Sequence, residues 1–370
     1  MSDRIPLEIL SEILKTLPVK SLLRLQSVCK AWKSLIKSSD FIARYSSQRQ
    51  HLLIRYTKLD DFKLEYVSFV DDHTFPQQRV SPTVPLLVKN LECPVLIGSS
   101  HGLFCFYGDY QPGCRAVIWN PSIRKAVDVV VPRVTYYNLY RSALGFGVCS
   151  KTSDAKIVTI THSQSGIIDM ESVNPWQVEV FTLTTRAWRS LYSDNLPRKS
   201  VKHFKLPVVV DGCLYWLAHN CDGITVDDGT FTTDFIISFD LTSEEFGEVN
   251  LPDGLAHPHC SLSMHKLRES LVVVEDNRQV YHLWVMEDGV PKSFQKLFTM
   301  SIHSPGVSIV CLRGFMKTGE PLIELRTHPG NTRILAAYES YSNSINNLRI
   351  NVRKGLYYFV YSYTETLLLL

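Results

Sequence analysis

Gly98-Ser99-Ser100-His101-Gly102 satisfies G-x-S-x-G, the spacing of a nucleophile elbow, in which a strand-to-helix turn thrusts a serine hydroxyl out for acyl transfer. That geometry needs a helix after the serine, but Leu103-Phe104-Cys105-Phe106-Tyr107 comes next, a strand-forming run. Ser100 is therefore expected in a turn between strands. His257, His259 and Cys260 are metal-ligand types, but Pro258 stands among them and a fourth ligand at suitable spacing is missing, so they read as a surface loop. The acidic pairs Asp60-Asp61, Asp71-Asp72, Asp227-Asp228 and Glu244-Glu245 could in principle split a glycosidic bond. Each stands beside turn residues, Asp228-Gly229 being a hairpin dipeptide, so solvated turns are expected. No catalytic residue, metal ligand or cofactor site is assigned, and the chain reads as a non-enzyme.

The elements that would carry any such residues change character along the chain. Residues 5–36, IPLEILSEILKTLPVKSLLRLQSVCKAWKSLI, hold 17 apolar residues among 32. Ile9, Leu10, Ile13, Leu14 and Leu17 recur at helical spacing and predict a helix starting near Pro6 and ended by Pro18. Leu22, Leu25, Val28, Trp32, Leu35 and Ile36 form a second series with Ser21 available as a cap, which predicts two or three further short helices. A unit of roughly 40 residues is below the size at which a private core usually suffices, so part of this apolar surface should be covered by another chain.

Beyond about residue 50 the pattern alternates, with short β-branched and aromatic runs between turn residues, and this half reads as all-β. One unit recurs: an apolar strand, a short turn, and a second strand opening on a bulky residue. Its copies begin at Ile118-Trp119-Asn120, Val180-Phe181-Thr182, Ser238-Phe239-Asp240 and Ala337-Tyr338-Glu339, and seven residues after each aromatic stands Ala126, Trp188, Phe246 or Ile345. Trp284 falls in a longer hairpin ending near Phe294. Each copy comes after another strand pair, as at Gly102–Phe106, Gly212–Leu217 and Pro321–Leu325, and four strands per unit is the composition of a propeller blade. His51–Tyr56 and Leu64–Phe69 are expected to pair with Gly355–Tyr363 and close a ring of about six blades. Trp119, Trp188, Trp216 and Trp284 could line a ligand cage, but aromatics at a blade period pack between blades, and core positions are expected.

The first stretch resembles the F-box, the docking motif of substrate adaptors in SCF-type ubiquitin ligases. Ile5-Pro6 stands for the family's Leu-Pro, with Glu8-Ile9-Leu10 after it, then Leu17 to Leu22 for Leu-Pro-x-Lys-Ser-Leu, and Val28 to Trp32 for Val-Cys-Lys-x-Trp. The resemblance implies that Ile5, Pro6, Ile9, Leu10, Ile13, Leu14, Leu17, Pro18, Leu22, Val28, Cys29 and Trp32 seat the chain on a Skp-family linker protein and, through it, on a cullin ligase scaffold. The second part resembles the plant F-box-associated domain, a relative of the kelch propellers, on GSSHGLFCF (98–106), VIWNPSIRK (117–125), LGFGVCSKTSDAKIVTI (144–160), VEVFTLTTRAWRSL (178–191), VVVDGCLYWLA (208–218) and IISFDLTSEEFGEVNLP (236–252). Single glycines such as Gly102 and Gly212 replace the paired glycine of kelch blades. The expected organisation is an all-α F-box module over residues 1–45 and an all-β, propeller-like domain over 46–370.

Such a protein would be the substrate-recognition subunit of a ubiquitin ligase, holding a protein target on the propeller. An F-box scaffold, or a protein- or glycan-binding module acting outside a ligase, is the alternative. The loops Val131–Ser142, Ser163–Pro175 and Asn220–Asp234 combine aromatic with polar residues, and Tyr136, Tyr137, Tyr140, Trp176 and Phe231 are the expected target contacts.

Composition fits an intracellular partner-binding protein. Lys and Arg number 39 against 36 Asp and Glu, scattered along the chain, so no nucleic-acid footprint is expected. The opening MSDRIPLE has no apolar core of a secretory signal, and no apolar run reaches membrane-spanning length, the closing Leu367 to Leu370 reading as a strand end. Nine cysteines without a C-x-x-C pair, and no glycosylation sequon other than one blocked by Pro121, point to a reducing compartment, cytosol or nucleus.

Overall fold

The computed structural model describes residues 6–45, 49–58, 63–110, 113–132, 142–162, 176–191, 201–220, 225–226, 229–230, 233–256, 261–277, 280–287, 289, 292–302, 306–328, 332–342, 344–348 and 355–369. Four short helices come first: α1 (Leu7–Lys15), α2 (Val19–Leu25), α3 (Lys30–Ile36) and α4 (Ser39–Arg44). Prolines set two of the starts, Pro6 and Pro18 standing extended just before α1 and α2. Ser21, expected as a cap, lies inside α2 because Pro18 already opens that helix. Caps set the other two: the Cys29 sulfur accepts the Trp32 N–H at 3.5 Å, and the Ser38 hydroxyl accepts the Phe41 N–H at 3.2 Å.

Six antiparallel sheets of four or five strands come after them, the blades of a β-propeller. Blade 1 joins Gly355–Thr364 to Gln50–Lys58, Leu64–Val70 and Arg79–Val80, so its inner strand comes from the far end of the chain. Pairing runs from Gln50 opposite Thr364 to Lys58 opposite Gly355, and the ring closes as the alternation predicts. Blade 2 is Glu92–Ser100, Leu103–Asp109, Cys114–Asn120 and Lys125–Val130; blade 3 is Ser142–Val148, Ala155–His162, Trp176–Thr182 and Ala187–Leu191. In blade 4, Val201–Phe204 and Val208–Val210 both pair with Cys213–Asn220, and Thr233–Asp240 and Phe246–Asn250 complete the sheet. The break between its two inner segments falls at Lys205–Pro207, where proline has no N–H to give the ladder. Blade 5 is Ser261–Leu267, Ser270–Asn277, Val280–Glu287 and Ser293–Ser301; blade 6 is Val307–Phe315, Pro321–Thr327, Thr332–Glu339 and Ser344–Asn347.

The recurring aromatic is always on a third strand, and its partner seven residues on is directly opposite it: Trp119 faces Ala126, Phe181 faces Trp188, Phe239 faces Phe246 and Tyr338 faces Ile345. Arg124, Arg186 and Glu244, five residues after the first three aromatics, each take a positive φ, the backbone form that folds these turns. The residue after the aromatic holds the turn: Asn120 Oδ1 accepts the N–H groups of Ser122 and Ile123, and Asp240 Oδ1 those of Thr242 and Ser243.

Core side chains gather in a separate cluster at each seam between neighbouring blades, so every sheet buries both faces. Trp119, Trp188, Trp216 and Trp284 fall in four different seams, and no cage forms.

Candidate functional site

A meander of four strands puts its first and third turns at one end of the blade and its remaining connections at the other. The helices sit on the tight-turn end. Leu10, Leu14, Val19, Leu22, Ile36, Phe41 and Tyr45 form one core with Ile123, from the last turn of blade 2, and with Leu367. The Tyr45 hydroxyl donates to the Leu17 carbonyl at 2.9 Å, and the Val19 N–H donates to the Glu365 carboxylate at 3.2 Å. Asn120 Nδ2 donates to the carbonyls of Thr366 and Leu368 at 3.1 and 2.7 Å, pinning the chain's last residues between helices and blade. Leu367 is thus part of an interdomain core, not the end of a strand.

This packing divides the residues expected at a linker. Ile9 and Ile13, one helical turn apart on α1, are 53% and 48% exposed, and Val28 is 60% exposed. Pro6 and Cys29 are exposed with them, while Leu17, Pro18 and Trp32 are half-buried. Leu10, Leu14 and Leu22 are turned inward and hold the module together, so they are corrected from contact residues to core. A stripe of adjacent apolar positions wraps round a helix, and only part of it faces out. Ile5 lies outside the described residues.

A cavity of about 1490 Å³ runs along the propeller axis, from Pro94 at one end of the inner strands to Lys266 and Phe315 beside the first turns of blades 5 and 6, and outward between blades 1 and 2. Arg55, only 4% exposed, donates from Nη1 to the Pro94 carbonyl at 2.6 Å and lies 4.2 Å from the centre of the Phe359 ring. Arg313 stands 5.3 Å from the same ring. Its Nε donates to Glu324 at 2.7 Å, and Arg333 donates to the other oxygen of that buried carboxylate at 2.6 Å. Burial first, and then the Arg313 charge, push His265 down to about 4 and keep it neutral. Sequence reasoning missed these residues; an arginine inside Leu52-Leu53-Ile54-Arg55, in a strand buried on both faces, was the available signal.

Other expectations fare variously. Ser100 and Leu103 pair across a tight turn in which His101 and Gly102 both have positive φ, a hairpin and not an elbow. The Ser100 hydroxyl lies 3.0 Å from His101 Nδ1 and accepts the Val148 N–H at 3.2 Å, tying blade 2 to blade 3. Trp176, expected at a target, is 3% exposed and meets Phe204 edge-on; it opens a strand rather than ending a loop, and belongs to the core. Asp71, expected in a solvated turn, is buried and accepts the Lys317 N–H at 2.8 Å. Glu244 pairs with Lys156 and Arg189. Tyr136, Tyr137, Tyr140, Phe231, His257, His259 and Cys260 lie outside the described residues, among which no three His, Cys, Asp or Glu are placed to share a metal and no helix is long and apolar enough to cross a membrane.

The chain resembles known proteins along its whole length. The Arabidopsis thaliana protein At5g52610 is 24% identical over 384 aligned residues, covering 98% of this chain and 99% of its own. The F-box protein At2g21930 of the same plant is 26% identical, over 80% of this chain and 72% of its own, and the F-box/kelch-repeat protein At3g23880 is 24% identical, over 80% and 79%. Among solved structures, Kuenenia stuttgartiensis hydrazine synthase superposes with a TM-score of 0.51 at 11% identity, over 86% of this chain and 47% of that one, a likeness of fold alone. The F-box domain matches residues 2–44. Residues 92–368 match the F-box associated beta propeller domain, and with that match over most of its length the chain belongs to the family of F-box proteins carrying this propeller.

Proposed function

We propose that this protein is the substrate-recognition subunit of an SCF-type ubiquitin ligase, with residues 1–45 docking on a Skp-family linker and residues 46–370 holding a protein target. It carries out no chemistry of its own. Its contribution is proximity: a target lysine fixed near a charged conjugating enzyme reacts at a raised effective concentration. The observation that carries the reading is the exposure of Ile9, Ile13 and Val28 on a module whose inner face is already committed to the propeller. Exposed apolar side chains grouped on a small module mark a surface that another protein covers.

The test is co-purification of the linker and cullin scaffold with the full chain and with Ile9→Asp/Ile13→Asp. A carboxylate forced into a closed apolar interface costs on the order of 3 to 5 kcal/mol, enough to abolish capture while the propeller melts as before. Linker recovered by the double variant at wild-type strength would refute the assignment. Proteins enriched with the wild-type chain under proteasome inhibition would be the targets.

A further inference from the structure

The ionisable lining of the axial cavity is one-sided. Among the described residues, Arg55, Lys63, Arg79, Lys89, Lys266 and Arg313 face it, with Glu65 the single carboxylate. The whole chain is nearly balanced, 39 basic residues to 36 acidic, so composition does not explain this convergence. Arg313 is offset from behind by Glu324 and Lys266 by Glu269. Arg55 has no such offset among the described residues: its bonded partner is a neutral carbonyl, its stacking partner is the Phe359 ring, and its Nε has no hydrogen-bond partner. A cation enclosed in protein without a counter-charge is costly, and an anion brought to it recovers that cost.

Building on the receptor role proposed above, we propose that this cavity receives an extended acidic segment, rich in Asp and Glu, of the protein target. At about 1490 Å³ it exceeds the roughly 300 to 1,000 Å³ typical of small-molecule pockets. It is also elongated, reaching from the connection Ser81–Val84 at the outer edge of blade 1 inward to Phe359 on the axis. Apolar and aromatic walls at Leu64, Tyr66 and Leu96 alternate with the cations, which suits a peptide presenting carboxylates between apolar side chains. None of the residues lining the cavity belongs to the four helices, so a seated segment leaves the α1 surface free.

The test is fluorescence anisotropy on the full chain, using as probe a labelled Glu/Asp-rich peptide interrupted by Leu and Phe, its Gln/Asn counterpart, and tripolyphosphate as competitor. The acidic peptide should bind, weaken with added salt, and lose at least about tenfold in affinity in Arg79→Glu/Lys89→Glu, whose exposed positions leave the melting temperature unchanged. Arg55→Met should lose as much if it folds; the mouth variant decides the matter if it does not. Equal binding of the Gln/Asn peptide, or undiminished binding by the mouth variant, would overturn the proposal, and so would tripolyphosphate binding without peptide binding, which would mark a small-anion site. Linker capture on the same preparation separates the two readings. Loss of peptide binding with capture intact removes only the acidic-segment site; peptide binding without capture removes the ligase role.

Discussion

Asn120 and Leu368, 248 positions apart, are joined by a 2.7 Å hydrogen bond from the asparagine amide to the leucine carbonyl. The same side chain accepts two N–H groups of its own turn, so one fully buried residue shapes the last turn of blade 2 and fixes the strand of chain on which the helices rest.

Asn120→Ala should therefore loosen the helices more than the propeller. Leaving buried carbonyls and N–H groups unmet costs about 1 to 3 kcal/mol. Hydrogen exchange should speed up in α1 and α2 while the inner strands of blades 4 and 5 stay protected; uniform acceleration would show that Asn120 serves the whole ring.

Trp188 bridges two blades, its indole N–H donating to the Val130 carbonyl at 2.9 Å and its ring lying 5.5 Å from Phe181. Because it is only half-buried, Trp188→Ala should cost about 2 to 3 kcal/mol, at or below the low end of the ~3 to 5 of a fully enclosed aromatic. Trp188→Phe should recover the stacking but not the hydrogen bond. A melting temperature unmoved by the alanine change would contradict the bridge.

Gly98 lies where two blades nearly touch: a Cβ there would come 2.2 Å from the Phe146 carbonyl oxygen. Backbone cannot swing aside as a side chain can, so Gly98→Ala should cost at least about 1 to 3 kcal/mol by overpacking. Gly254→Ala, with nothing within 4 Å, should be neutral or slightly stabilising in the same melting assay.

Burial raises Asp71 to about 6 against its ordinary 3.8, opposed by the Lys317 N–H and charge. The native state thus holds this proton where the unfolded chain has lost it, and stability contributed by the group falls as pH rises from about 4 to 6 and stays lower above. Asp71→Asn, keeping an oxygen for Lys317, should stabilise the protein at pH 7 by about 1 to 2 kcal/mol and lose that advantage near pH 4. His265 acts oppositely, its neutral form being favoured, so stability from it falls as pH drops from 6.5 towards 4. Denaturant melts of both proteins across this range would check the difference; a constant gap would exclude Asp71 as its source.

The ring was legible because hairpin geometry writes itself locally: an aromatic and its partner seven residues on face each other across a four-residue turn, as Trp119 and Ala126 do. The helical module was legible for the same reason. Relations between distant segments escaped. Leu367 has no periodic neighbours to betray its place under the helices, and Trp176 beside a long connection looks like loop until its strand is paired. The six cations of the cavity sit in separate stretches between residues 55 and 313, and only the closed ring brings them together.

Closure by Gly355–Thr364 also sets an order of assembly. A ribosome delivers the helices first and the strand that seals blade 1 last, and the residues directly after that strand, Glu365 and Leu367, are the ones the helices stand on. A chain cut short before Gly355 would carry its helices on an open ring without that footing, so the helical module gains its seat only once residues through Leu367 have been made.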